Sequence, residues 1–93
     1  MAVQARASHI LVKTEDQANQ VLKRLADGEE FDKVARRFSS CPSGKNGGDL
    51  GWFGKGQMVP EFEKVAFENE AGKVVGPVKT QFGYHVIKIT GRK

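Results

Sequence analysis

A single cysteine, Cys41, excludes an internal disulfide, and nothing in the chain calls for an oxidising compartment. Long apolar runs are missing too. The opening MAVQARASHI has one early cation, Arg6, and no hydrophobic stretch behind it, which reads against a secretory leader. No later run is long enough for a membrane span, so the expected compartment is the cytoplasm. The only two histidines, His9 and His85, stand far apart, and no C-x-x-C or H-x-x-x-H pair exists to start a metal site. No metal or cofactor is expected. There is no internal repeat, no linker and no low-complexity tract. The 93 residues are expected to form one domain, 1–93, able to bury a single core without staples.

Charge of one sign is only modestly in excess. Fifteen Lys and Arg against eleven Asp and Glu leave +4. The cations are spread from Arg6 to Lys93, with adjacent pairs only at Lys23-Arg24, Arg36-Arg37 and Arg92-Lys93. That distribution reads first as solubility. Association with nucleic acid or the ribosome is the weaker alternative.

Periodicity supplies the elements. Ala5–Lys13 reads as a strand with consecutive Ile10, Leu11 and Val12, apolar on both faces as a central strand is. Thr14 to Gln17 forms a capping box. It opens a helix with Ala18, Val21, Leu22 and Leu25 on one face and Gly28 as its stop. Phe31, Val34, Ala35 and Phe38 mark a second helix ending near Ser39-Ser40, and both helices suit one sheet face. A short strand is expected at Asp49–Phe53. Pro60 opens a third helix carrying Phe62, Val65 and Ala66. Gly76–Thr80 reads as a short strand with Pro77 near its start, and Tyr84–Ile89 as a second central strand. The order is β-α-α-loop-β-α-β-β. If the first and last strands are neighbours, His9 and His85 stand close enough to share a hydrogen bond when directly opposed.

The segment Cys41–Met58, CPSGKNGGDLGWFGKGQM, holds the lone cysteine, the lone tryptophan and six of the eleven glycines. It fits neither G-x-x-x-x-G-K-[ST] nor G-x-G-x-x-G, so it is no phosphate cradle. Cys41 with two histidines suggests a cysteine nucleophile, but no strand-to-helix elbow or oxyanion site accompanies it. Leu50 and Met58, in or beside so glycine-rich a loop, suit the wall of a concave site better than a regular core.

Three stretches, SHILVK (Ser8–Lys13), CPSGKNGGDLGWFGKGQMVPEFEKVAF (Cys41–Phe67) and GPVKTQFGYHVIKI (Gly76–Ile89), resemble the parvulin family of peptidyl-prolyl cis/trans isomerases. The likeness spans nearly the whole chain and is nearest to small single-domain prokaryotic parvulins. It implies an α+β fold: a four-stranded antiparallel sheet, order 2-1-4-3, surrounded by helices. It implies that His9 and His85 pair beneath the active site, with Thr80 in the same hydrogen-bond network. Leu50, Met58 and Phe62 would form a proline pocket, Cys41 would face the reacting amide where other members carry Asp, and Gln57 and Phe82 would flank the cleft. The implied activity is rotation of X-Pro bonds in unfolded or flexible polypeptides, by a monomer that needs no phosphate on its substrate. Two rivals remain open at this point: a module that binds proline-containing peptides without turnover, and a nucleic-acid or ribosome-associated protein.

Overall fold

A computed structural model describes residues 4–93; the start of the amino-terminal stretch read above, residues 1–3, lies outside the described residues. The elements are β1 (Gln4–Val12), α1 (Glu15–Ala26), α2 (Phe31–Phe38), a 3-10 turn (Pro42–Asn46), β2 (Asp49–Gly54), α3 (Pro60–Glu68), β3 (Val74–Thr80) and β4 (Gly83–Arg92). All four strands join one antiparallel sheet in the order β2-β1-β4-β3. The first and last strands are its centre, as their two-sided apolar pattern requires.

The period-two alternation of β1 and β4 divides the core in two. Ile10, Val12 and Val86 face α1 and α2, where they meet Ala18, Val21, Phe31, Val34 and Ala35. Ala5, Ala7, Ile87 and Ile89 face the other way, against Phe53 and the Phe62 and Ala66 of α3. His9 and His85 share the parity of this second face and abut Phe62. They are the polar end of an otherwise apolar layer.

Local signals set the helix ends. Thr14 Oγ1 accepts the Gln17 N–H at 3.2 Å, and Gln17 Oε1 accepts the Thr14 N–H at 3.3 Å. At the other end of α1, Gly28 (φ +100°) donates to Leu25 O and Glu29 donates to Arg24 O, a Schellman stop. Pro60 is the first residue of α3, where its missing N–H costs nothing.

Two expectations need correction. The strand expected from Gly76 begins at Val74, and Pro77 lies in its middle. Pairing with β4 slips between Val75 and Val78, so Pro77 sits in a bulge on an edge strand, where no partner needs its N–H. The imidazoles are also not directly opposed. His9 pairs with Ile87 and Leu11 with His85, which makes the histidines diagonal neighbours on one face.

Candidate active site

The site begins with a bulge. Between Arg6 and Ser8, β1 advances two residues while its partners on β2 run from Trp52 to Asp49, one residue more. Gly51, at φ +72°, takes up the extra residue, and its N–H is held by Asp49 Oδ1 at 3.0 Å. Strict alternation would put Leu50 on the face of Trp52. The bulge instead turns Leu50 to the same side as Phe53, toward α3. Asp49 is fixed in turn by a two-pronged pair with Arg6, 3.2 and 2.6 Å. That pairing holds the Asp49 carboxyl below the usual carboxylate range. Trp52 is left on the outside, 41% exposed, with the Lys93 ammonium 4.5 Å above its ring. The lone tryptophan of the glycine-rich segment is therefore not part of the pocket wall.

The glycines upstream bring the cysteine loop down onto β1. His9 N–H donates to Gly48 O at 2.9 Å, and a Cβ on Gly48 (φ +85°) would overlap the His9 carbonyl oxygen. Only glycine allows that approach. Ser40 N–H donates to Leu11 O at 2.7 Å, while Ser39 Oγ accepts the N–H groups of Leu11 and Cys41. Cys41, free and half-buried, is thereby set at the rim.

These constraints enclose a cleft of about 520 Å³. Its walls include His9, Cys41, Leu50, Gln57, Met58, Phe62, Phe82 and His85, eight of the nine residues singled out from the sequence. Thr80, the ninth, lies beneath it, buried against His85. Leu11, Ser40, Pro42 and Val59 complete the lining and were not singled out. Phe62 is buried, Leu50 and Met58 are half-buried, and Phe82 stands 62% exposed at the lip. The cleft is mainly apolar.

Below it runs a continuous hydrogen-bond chain. Ser43 Oγ lies 3.1 Å from His9 Nε2, His9 Nδ1 2.8 Å from His85 Nδ1, and His85 Nε2 2.7 Å from Thr80 Oγ1. The Phe82 N–H donates to Thr80 Oγ1 at 3.2 Å. The imidazole centroids are 5.0 Å apart with planes 18° apart, so the rings meet edge to edge, as an N–H···N bond requires. Two proton arrangements satisfy the chain: Thr80 donating to His85 and onward to Ser43, or the reverse. Each leaves both imidazoles neutral. Adding one proton to the pair still satisfies every bond, but two would set N–H against N–H. Burial pushes His9 down to about 4, with the neighbouring His85 as a lesser cause, and burial lowers His85 as well. At neutral pH the pair is an uncharged strut joining the cysteine loop to the β3–β4 turn. Ser43 is the member that sequence inspection missed. It sits two residues beyond Cys41 on the 3-10 turn, and only the approach of that turn to β1 identifies it.

The sequence and the fold match known proteins. Residues 4–91 fit the family described as rotamase, PPIC-type PPIASE domain. Foldase protein PrsA of Geobacillus kaustophilus is 54% identical over 89 residues, 95% of this chain and 32% of that protein. The chain thus spans about a third of the length of that relative. Among solved structures, NmPin, the parvulin of Nitrosopumilus maritimus, superposes with a TM-score of 0.87 at 41% identity, covering 98% of this chain and 99% of that one. CsPin of Cenarcheaum symbiosum gives 0.85 at 49% identity, covering 98% and 95%. The chain belongs to the parvulin family of PPIC-type peptidyl-prolyl cis/trans isomerase domains.

Proposed function

We propose that residues 1–93 act as one monomeric isomerase domain that turns X-Pro bonds in unfolded or flexible polypeptides and needs no phosphate on them. The observation that carries this is the apolar wall of Leu50, Met58 and Phe62 facing a neutral, fully bonded polar floor. An X-Pro bond rotates over a barrier of roughly 20 kcal/mol without any bond being broken. Twisting the amide removes its resonance and leaves the carbonyl less polar. A pocket that grips the proline ring and strips water from that carbonyl stabilises the twisted state over the planar one. Leu50, Met58 and Phe62 hold the ring, Gln57 and Phe82 flank the peptide, and Cys41 faces the rotating carbonyl. His9 and His85, supported by Ser43 and Thr80, keep the floor rigid.

Cys41 sets local polarity and forms no adduct. Its thiol is not in the histidine chain, because Ser43 holds His9 Nε2. Cys41→Ser and Cys41→Asp should therefore keep at least about a tenth of parental kcat/KM, a cost within about 1.4 kcal/mol. Complete loss in a folded Cys41→Ser protein, or a trapped thiohemiketal, would contradict this.

Phosphate independence rests on the β1–α1 connection. Only Lys13 and Thr14 separate the two elements, and Glu15 and Asp16 follow at once. One cation beside two carboxylates is a poor seat for a dianion, which wants several Arg or Lys donors. Exchange NMR on matched Ala-Pro, Ser-Pro and phosphoserine-Pro peptides checks it. Ala-Pro and Ser-Pro should be turned over at similar rates. A preference of about tenfold or more for phosphoserine, about 1.4 kcal/mol, would overturn it. We place the domain in the cytoplasm, which the unpaired thiol of Cys41 supports and cell fractionation tests. No helix among the described residues is long and apolar enough to cross a membrane.

A further inference from the structure

Beyond the ridge of Ser40, Cys41 and Pro42 lies a second hollow, about 320 Å³ in volume. Those three residues wall both spaces, so the hollow opens directly beside the cleft. Its far side carries Arg36, from the last turn of α2, and Lys45, from the 3-10 turn. None of the described residues that line it is acidic. Lys45 makes no ion pair among the described residues. Arg36 touches Asp32 one helical turn away at 3.4 Å, with its side chain 56% exposed, which leaves most of its fork available. Two cations on separate elements thus converge on a concavity that shares its rim with the isomerase cleft.

We propose that this hollow is a subsite for a carboxylate side chain, Asp or Glu, borne by the client polypeptide within about three residues of the reacting bond. The proposal rests on the isomerase activity proposed above and adds a specificity to it. An extended chain advances about 3.3–3.6 Å per residue. A peptide with its proline among Leu50, Met58 and Phe62 that crosses the Cys41 ridge therefore sets a nearby side chain over Arg36 and Lys45. Both offer charge-assisted hydrogen bonds to a carboxylate. Because both are exposed, the preference is a few-fold and salt-sensitive. The charge suits a monoanion, since one of the two cations already serves Asp32. The residue directly before proline is held in the cleft and is not read by the hollow.

The test is a scan. A host peptide with one Ala-Pro bond carries Glu or, as control, Gln at each position from three before to three after the proline, the Ala itself kept, and kcat/KM is read by exchange NMR. Glu should exceed Gln by about threefold at one or two positions. That gain should vanish in Lys45→Glu, shrink in Arg36→Ala and disappear at about 0.5 M salt. Turnover of the uncharged host should be the same in both variants as in the parent. A flat scan overturns the subsite, as does a gain that survives Lys45→Glu. Equal gains at every position do so too, because they report only the +4 net charge. Phosphoserine exceeding Glu by more than about tenfold at the favoured position would reassign the hollow to phosphate. If the uncharged host itself is not accelerated, it is the isomerase activity that fails, and the subsite falls with it.

Discussion

Phe62→Ala should cost about 3–5 kcal/mol of stability and remove most of the activity. Phe62 is 2% exposed and is the hinge between core and site. Its ring meets Phe53 edge-on at 5.9 Å on the core side, and His9 and His85 at 5.6 and 5.8 Å on the other. It also lines the cleft, in the apolar wall proposed to hold the proline ring. Removing it opens a cavity that α3, anchored otherwise by Ala66, Val65 and Phe67, cannot close by collapse. Small domains have about 5–15 kcal/mol in total, so the loss is a large share of what holds this one. Phe62→Leu separates the two roles. It should retain most of the stability and lose about tenfold in kcat/KM, since a flat aromatic wall for the proline ring is gone. Urea unfolding and peptide exchange measure both. A Phe62→Ala protein of parental stability, or a Phe62→Leu protein of parental activity, would contradict these roles.

The histidine pair gives the second large effect, and its sign is fixed. His9 has a folded-state pKa of about 4 against 6.5 for the free side chain. Between those values the unfolded chain binds more protons than the folded one, so stability rises with pH across that window. The contribution is complete above about pH 6.5 and is lost as pH falls toward 4. At about 1.4 kcal/mol per unit it amounts to about 3 kcal/mol, with His85 acting in the same direction. His9→Ala should cost about 1–3 kcal/mol at pH 7.5, because it strands the buried His85 Nδ1 and loses the Ser43 bond. The variant lacks the proton penalty, so its deficit should narrow as pH falls. Activity should not show a histidine titration while the protein stays folded, since amide rotation moves no proton. Unfolding curves from pH 4.5 to 8, alongside a pH–rate profile, decide the matter. A His9→Ala protein with full stability, no activity and a parental profile titrating near neutrality would make the pair an acid–base device instead.

What was legible in the sequence was whatever periodicity and caps encode. The two-sided apolar runs of β1 and β4 identified the central strands. That His9 shares the face of Ala7, and His85 that of Ile87, so that both imidazoles lie on one side, emerges only in the folded sheet. The Thr14 box, Gly28 and Pro60 marked helix ends because each acts within a few residues of itself. Leu50 and Met58 were read as a concave wall from their glycine-rich loop, Phe62 and the placement of Cys41 came through family resemblance, and the cleft does bring all four together. What stayed hidden depends on contacts made over long separations by backbone. The bulge at Gly51 that re-aims Leu50 has no side-chain pattern of its own, and glycine runs are equally consistent with a loose loop. The diagonal register of the histidines follows from strand pairing, which a period-two pattern leaves free by any even shift. Ser43 looks like any loop serine until Gly48 brings its turn against His9. Arg36 and Lys45 likewise belong to different elements and meet only in the folded chain.

The most direct measurement is two-dimensional exchange NMR of an Ala-Pro peptide with catalytic amounts of the protein, together with chemical-shift mapping on the protein itself. Unaided, the cis and trans forms interconvert over about 10–100 s. Cross-peaks should build up at a rate that rises in proportion to protein concentration, with peptide-induced shifts centred on Leu50, Met58, Phe62 and Phe82. Shifts at those residues with no acceleration of exchange would show a cleft that binds proline peptides without turning them, and would contradict the proposed activity.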